Sequence, residues 1–169
     1  MFDFAAFSAV SFYQAGDQVI KKPEDAFEMS ADSDAFGPAE MFINYEPETT
    51  DTDSPLLKAL KLYQEMLAFH VNDQRREAFV DIDINRLVFV NAYAFGENKA
   101  DRFIKRLSEI VDEYNDLPLA SLACYHWAQE LFNQGRYMKA HKVATRGLKL
   151  HSDSPGGYKC RLVLNRIES

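Results

Sequence analysis

The chain is poor in the residues that stiffen small or chemically elaborate proteins: 169 residues contain two cysteines, six prolines, seven glycines and one tryptophan. Cys124 and Cys160 are too few for a disulfide framework and lack the Cys-x-x-Cys spacing of zinc or redox sites. Each reads as a small buried apolar residue, with a single bridge open to them in an exported protein. No stretch approaches the roughly 20 apolar residues of a membrane span. The apolar opening MFDFAAFSAVSFYQ contains Asp3 and no basic flank, so it is not a signal peptide. It reads as a helix that begins abruptly, as in a fragment excised from a larger protein.

Basic charge is also scarce. A formal charge of −7 argues against general nucleic-acid or anionic-membrane binding. The imbalance is polar along the chain: residues 1–54 carry 12 acids against 2 bases, and residues 133–169 carry 8 bases against 2 acids. The two ends are therefore suited to attract each other or to meet different partners, although solvated faces alone account for such runs.

What the chain has is length for one domain, 13% aromatic residues to fill a core, and helical periodicity from Pro55 onward. Ser54 is a helix cap with Pro55 at the first helical position, followed by Leu56, Leu60, Tyr63 and Leu67 at helical spacing. Phe103, Leu107, Ile110 and Tyr114 form the stripe of a later helix. Leu119, Ala123, Trp127 and Leu131 mark the next, which places Trp127 among buried residues; residues 137–150 and a segment after DSPGG complete the series. In AFVDIDINRLVFVNAYAF, Val80, Ile82 and Ile84 alternate with aspartates as in a strand. Its length, its freedom from Gly or Pro before Gly96, and the lack of a pairing strand favour a helix. Residues 16–53 are broken by Gly16, Pro23, Gly37, Pro38 and Pro47, and read as an ordered strap anchored by Phe27, Phe36, Phe42 and Tyr45. The expected fold is a single all-α domain over 1–169: a right-handed antiparallel array, an α-solenoid of about seven helices, with a long strap near its N-terminus.

Residues 133–150 test this array by period. The tetratricopeptide pattern repeats every ~34 residues and uses small residues where helices approach. Ala128 takes the small position of a first helix, Gly135 and Tyr137 the turn, and Ala140 the small position of a second. One period earlier stand Ala94, Ile110 (opposite Ala144) and Pro118. Cys124, Ala144 and Ser152 replace the usual Trp, large aromatic and Pro, so the array is degenerate, with one good repeat.

Chemistry is sparse. Asp81, Asp83 and Asn85 start like a calcium loop, but Arg86 replaces the turn Gly and Ala92 the bidentate Glu, leaving Asp81 and Asp83 as helix-surface carboxylates. His126 and Glu130 lie one turn apart without a His-Glu-x-x-His motif, and His70, His141 and His151 lack ligand spacing. With no phosphate loop or nucleophile elbow, no enzyme activity, metal or cofactor is expected. One constellation remains: Lys139, Lys142, Arg146 and Lys149, spaced three, four and three, form a basic stripe suited to an acidic partner segment, to the chain's own acidic strap, or simply to solvent. It lacks the interleaved aromatics of a nucleic-acid site.

The order of landmarks resembles the helical module that precedes the macroglobulin domains of large alpha-2-macroglobulin-like proteins of Bacteroides-type bacteria. MFDFAAFSAVSFYQ is similar to the family's Tyr-Asp-Phe-Leu opening helix, AFGPAEMFI to its Phe-x-Pro-Ala strap, and LLKALKLYQEMLAFH to the helix that follows. DIDINRLVFV resembles an Asp-Leu-x-Arg-Leu helix, and HSDSPGGYKCRLVLNRIES the segment that closes the array before the first β-rich domain. The resemblance implies part of an exported periplasmic or cell-surface protein related to protease traps, with the adjoining β-rich domains as first partner and other envelope proteins or proteases met through the parent. The family's Cys-x-Glu-Gln thioester is absent, since Cys124 precedes YHW and Cys160 precedes RLV. The implied role is a non-catalytic scaffold or protein-binding module; the alternative is a free-standing tetratricopeptide-type adaptor.

Overall fold

A computed structural model describes residues 2–16 and 25–169. Among the described residues the chain is all-helical, with eight α-helices, one 3-10 turn and no β-strand, in agreement with an all-α array. The helices are α1 (Phe2–Gly16), α2 (Ala39–Ile43), α3 (Pro55–His70), α4 (Glu77–Tyr93), α5 (Lys99–Glu113), α6 (Leu119–Asn133), α7 (Tyr137–Leu150) and α8 (Pro155–Glu168). Their contacts gather into two units, Met1–Gly96 and Glu97–Ser169.

In the first unit α3 starts as its sequence requires. The Ser54 hydroxyl accepts from the Leu57 amide and Pro55 occupies the first turn. Leu56, Leu60, Tyr63 and Leu67 are buried on its inner face, where α1 packs on one side and α4 on another. α4 resolves the strand-like alternation. It buries Phe79, Val80, Ile82, Ile84, Leu87, Phe89 and Val90 over a wide arc, and its partly exposed strip, Ala78, Asp81, Asn85, Val88 and Ala92, mixes apolar with polar residues, so the 3.6-residue period is blurred in the sequence.

The strap is ordered over its described part, and residues 17–24 lie outside the described residues. Phe27, Phe36 and Phe42 are buried and Tyr45 is half-buried, as anchoring requires. Backbone bonds tie it to the end of α4: the Ala31 amide donates to Phe95 O at 2.7 Å and the Phe95 amide to Met29 O at 2.9 Å. Gly96 has φ +126°, and a Cβ there would stand 3.0 Å from Ala31 Cβ, so the close approach needs glycine. The Gln64 side chain on α3 donates to Phe42 O and Tyr45 O at 2.8 and 2.6 Å, pinning the far end of the strap.

In the second unit α6 packs on α5, α7 and α8, and α7 packs on α8. The seams are made of small residues: Ala120, Ser121, Ala123, Cys124 and Ala128 of α6, Ala140, Ala144 and Gly147 of α7, and Gly156, Gly157 and Cys160 of α8. Trp127 is half-buried, contrary to the full burial its stripe suggested. Steps of four residues drift by about 40° each, so the stripe from Leu119 runs beside the true seam of Ala120, Cys124 and Ala128 and meets it at Leu131.

Candidate functional site

The second unit brings several pairs of residues 34 apart in the sequence into contact. Lys159 lies 34 residues after Tyr125, and its ammonium stands 5.2 Å from that ring's centre. Arg166 lies 34 residues after Phe132, with its guanidinium carbon 4.4 Å from that ring. Arg146 lies 34 residues after Asp112 and donates to its carboxylate at 2.6 Å. Gly156 lies 34 residues after Leu122, and a Cβ on it would fall 2.3 Å from the Leu122 amide. Residues 34 apart thus meet across α5/α7 and α6/α8. The register does not extend back through the first unit. Ala94, assigned to a first-helix small position, caps the end of α4 in extended conformation, φ −73° and ψ 150°, so its helix ends too early for the frame.

The basic stripe lies on α7. Lys139, Lys142 and Lys149 are exposed, while Arg146 is partly engaged by Asp112. Two surface depressions meet along it: one of about 330 Å³ lined by Lys142, Thr145, Arg146, Lys149 and Leu150, and one of about 550 Å³ bounded by Lys149, Leu150 and the turn into α8. On α8, Lys159, Arg161 and Arg166 are exposed, as are Tyr158 and Leu162. The α6 rings of Tyr125 and Phe132 under Lys159 and Arg166 lie apart from the α7 stripe. Their signal in the sequence is the 34-residue spacing of aromatic and basic residues.

The remaining chemical candidates are separated by the fold. His126 is half-buried, and burial, then the positive charge of Lys159, lower its pKa to about 4. It is therefore neutral at pH 7, and Glu130 one turn away accepts from Gln134 at 3.0 Å. His141 faces Glu168 at 3.2 Å, and His151 faces the Asn115 carbonyl at 3.0 Å. Among the described residues no group of three or more His, Cys, Asp or Glu side chains is placed to hold a metal ion, and no helix is long and apolar enough to cross a membrane. Cys124 and Cys160 are free and fully buried, and burial pushes their thiols up to about 11 and about 12.

Asp83 is not the surface carboxylate that its place in the failed calcium loop suggested. It is 3% exposed and paired with the wholly buried Arg86, one turn further along α4. Arg86 also donates to the Ala35 and Gly37 carbonyls of the strap at 2.5 and 3.1 Å, and lies 4.6 Å from the Phe42 ring centre. Asp81 is half-buried, and burial raises its pKa against the opposing hydrogen bond from Asn85. The two aspartates thus differ in place: Asp83 lies inside the packed arc of α4 with Arg86, and Asp81 on its partly exposed strip beside Asn85.

Comparison with known protein families, with characterised proteins and with solved structures gives no match for this chain.

Proposed function

We propose that the chain is a non-catalytic protein-binding module whose contact surface is the basic side of α7, formed by Lys139, Lys142, Arg146 and Lys149. The observation that carries this reading is the division of labour along the stripe. Arg146 is held by Asp112, while three exposed lysines surround it and two depressions adjoin it. Such a surface steers and orients an acidic partner, and the depressions accept its side chains. The larger setting we infer from the sequence resemblance is an alpha-2-macroglobulin-like envelope protein, periplasmic or at the cell surface, whose β-rich neighbouring domain is the first partner. A short linker holds such a neighbour at an effective concentration in the millimolar range, so a weak polar interface stays occupied.

The alternative reading, a free-standing adaptor that holds a peptide, draws support from the α6/α8 face, where cations lie on aromatic rings and Tyr158 and Leu162 stand exposed. The two readings separate by charge reversal in the full polypeptide that the gene encodes. Lys139→Glu, Lys142→Glu and Lys149→Glu together, with Arg146 retained for its structural pair, are expected to release a docked neighbour and increase the radius of gyration in small-angle scattering. A particle unchanged by that triple substitution contradicts docking through α7.

A further inference from the structure

The last residue of α3, His70, is buried between two carboxylates from different parts of the first unit. Its Nδ1 lies 2.6 Å from Asp73 Oδ2, in the turn after α3, and its Nε2 lies 3.0 Å from Asp3 Oδ1, in the first turn of α1. Carboxylates only accept, and a neutral imidazole has a single N–H to give. Both contacts are therefore satisfied together only by the imidazolium. We propose that His70 is a pH-sensitive clasp that holds α1 on α3 while protonated and loosens it on deprotonation.

The geometry says which contact fails. Asp73 is three residues from His70, at the shorter distance, and keeps the remaining N–H through a local turn. Asp3 belongs to α1 and then faces the bare lone pair of the ring, so its attraction becomes repulsion. The charged groups facing the ring are Asp3 from α1 and Asp73 from the turn. Arg76, at the head of α4, directs its guanidinium to the Val71 carbonyl at 2.8 Å and to the Phe79 ring at 3.9 Å. The Phe69 ring meets His70 edge-on at 4.9 Å and adds no charge.

Burial by itself lowers the His70 pKa, but the hydrogen bonds and charges of Asp73 and Asp3 outweigh it and the net direction is upward. A base with a raised folded-state pKa stabilises the docked form fully below its unfolded value, about 6.5, and that contribution disappears as pH rises through the folded value. Among the described side chains of α1, Ala6 and Val10 are buried and Phe7 meets Tyr63 edge-on at 6.4 Å. Loosening α1 therefore uncovers part of the apolar face of α3 in a pH-dependent way.

The test is amide hydrogen exchange of the whole chain at about pH 6 and about pH 8.5, corrected for intrinsic rates, together with an NMR titration of the His70 ring. Protection in α1 is expected to fall about tenfold across that interval, the size of one charge-assisted hydrogen bond, while α3 and α4 hold theirs. In Asp3→Asn and in His70→Gln the pH step in α1 disappears. Equal α1 protection at both pH values in the unsubstituted chain, a His70 titration at or below its ordinary value, or a pH step that persists in Asp3→Asn would each overturn the proposal.

Discussion

Asp83 and Arg86, one turn apart on α4, form an ion pair inside the first unit, and the same guanidinium holds the strap by two of its backbone carbonyls. Removing one partner strands the other charge without water. Arg86→Met is expected to cost about 3–5 kcal/mol, measured by urea denaturation. Apolar replacement of both, Asp83→Leu with Arg86→Met, is expected to recover only part of this. The Ala35 and Gly37 carbonyls stay buried without their donor, at about 1–3 kcal/mol. Full recovery in the double variant would show that the strap does not depend on Arg86.

Two glycines of the second unit serve for different reasons, and substitution separates them. A Cβ at Gly147 would meet Cys124 Cβ at 2.5 Å and Cys160 Sγ at 2.6 Å, whereas one at Gly135 would meet nothing within 4 Å but would have to adopt φ +73°. Gly135→Asn should be nearly neutral, because Asn tolerates the left-handed region. Gly147→Ala should lose about 1–3 kcal/mol through overpacking. Melting temperatures of the two variants decide the matter, and an unaffected Gly147→Ala protein would contradict the three-helix seam.

The helices with one apolar face and a clear punctuation mark were legible in the sequence: Ser54 and Pro55 start α3, and Phe103, Leu107 and Ile110 trace the core face of α5. The alternation in α4 was ambiguous because the helix is buried over a wide arc and its narrow outer strip mixes apolar Ala78, Val88 and Ala92 with polar Asp81 and Asn85. The Asp83–Arg86 pair was hidden as well, since a charge reads as surface until the strap that covers it is seen. Phe27, Phe36 and Phe42 did announce the strap, because exposed they would have formed an apolar patch. The stripe of Lys139, Lys142, Arg146 and Lys149 was visible from its spacing; the engagement of Arg146 by Asp112 needed the fold.

Cys124 and Cys160 should behave as inert core residues. With no exposed surface and thiols held up to about 11 and about 12 by burial, they supply almost no thiolate at neutral pH. Labelling by a disulfide reagent is expected to proceed only at the rate at which the second unit opens, and to become immediate in denaturant. Rapid stoichiometric labelling of the native chain would show that the seam is open.

His126 gives the second unit an acid sensitivity opposite in sign to the His70 clasp. Its pKa is lowered to about 4, so the native state refuses a proton that the unfolded chain accepts below about 6.5. Stability is therefore complete above that value and declines as pH falls toward 4, by at most about 3 kcal/mol. His126→Gln should flatten this slope in denaturation curves collected across that range. A slope unchanged by the substitution would assign the acid sensitivity to other groups.

The most direct test of protein binding through the α7 stripe is peptide-resolved hydrogen exchange on this chain alone and within the full polypeptide that its gene encodes. Protection should rise over residues 139–150, and the rise should weaken with added salt, because exposed lysines lose their attraction once a Debye length of about 8 Å screens them. Identical exchange over those residues in both settings, at low and at physiological salt, would contradict the account.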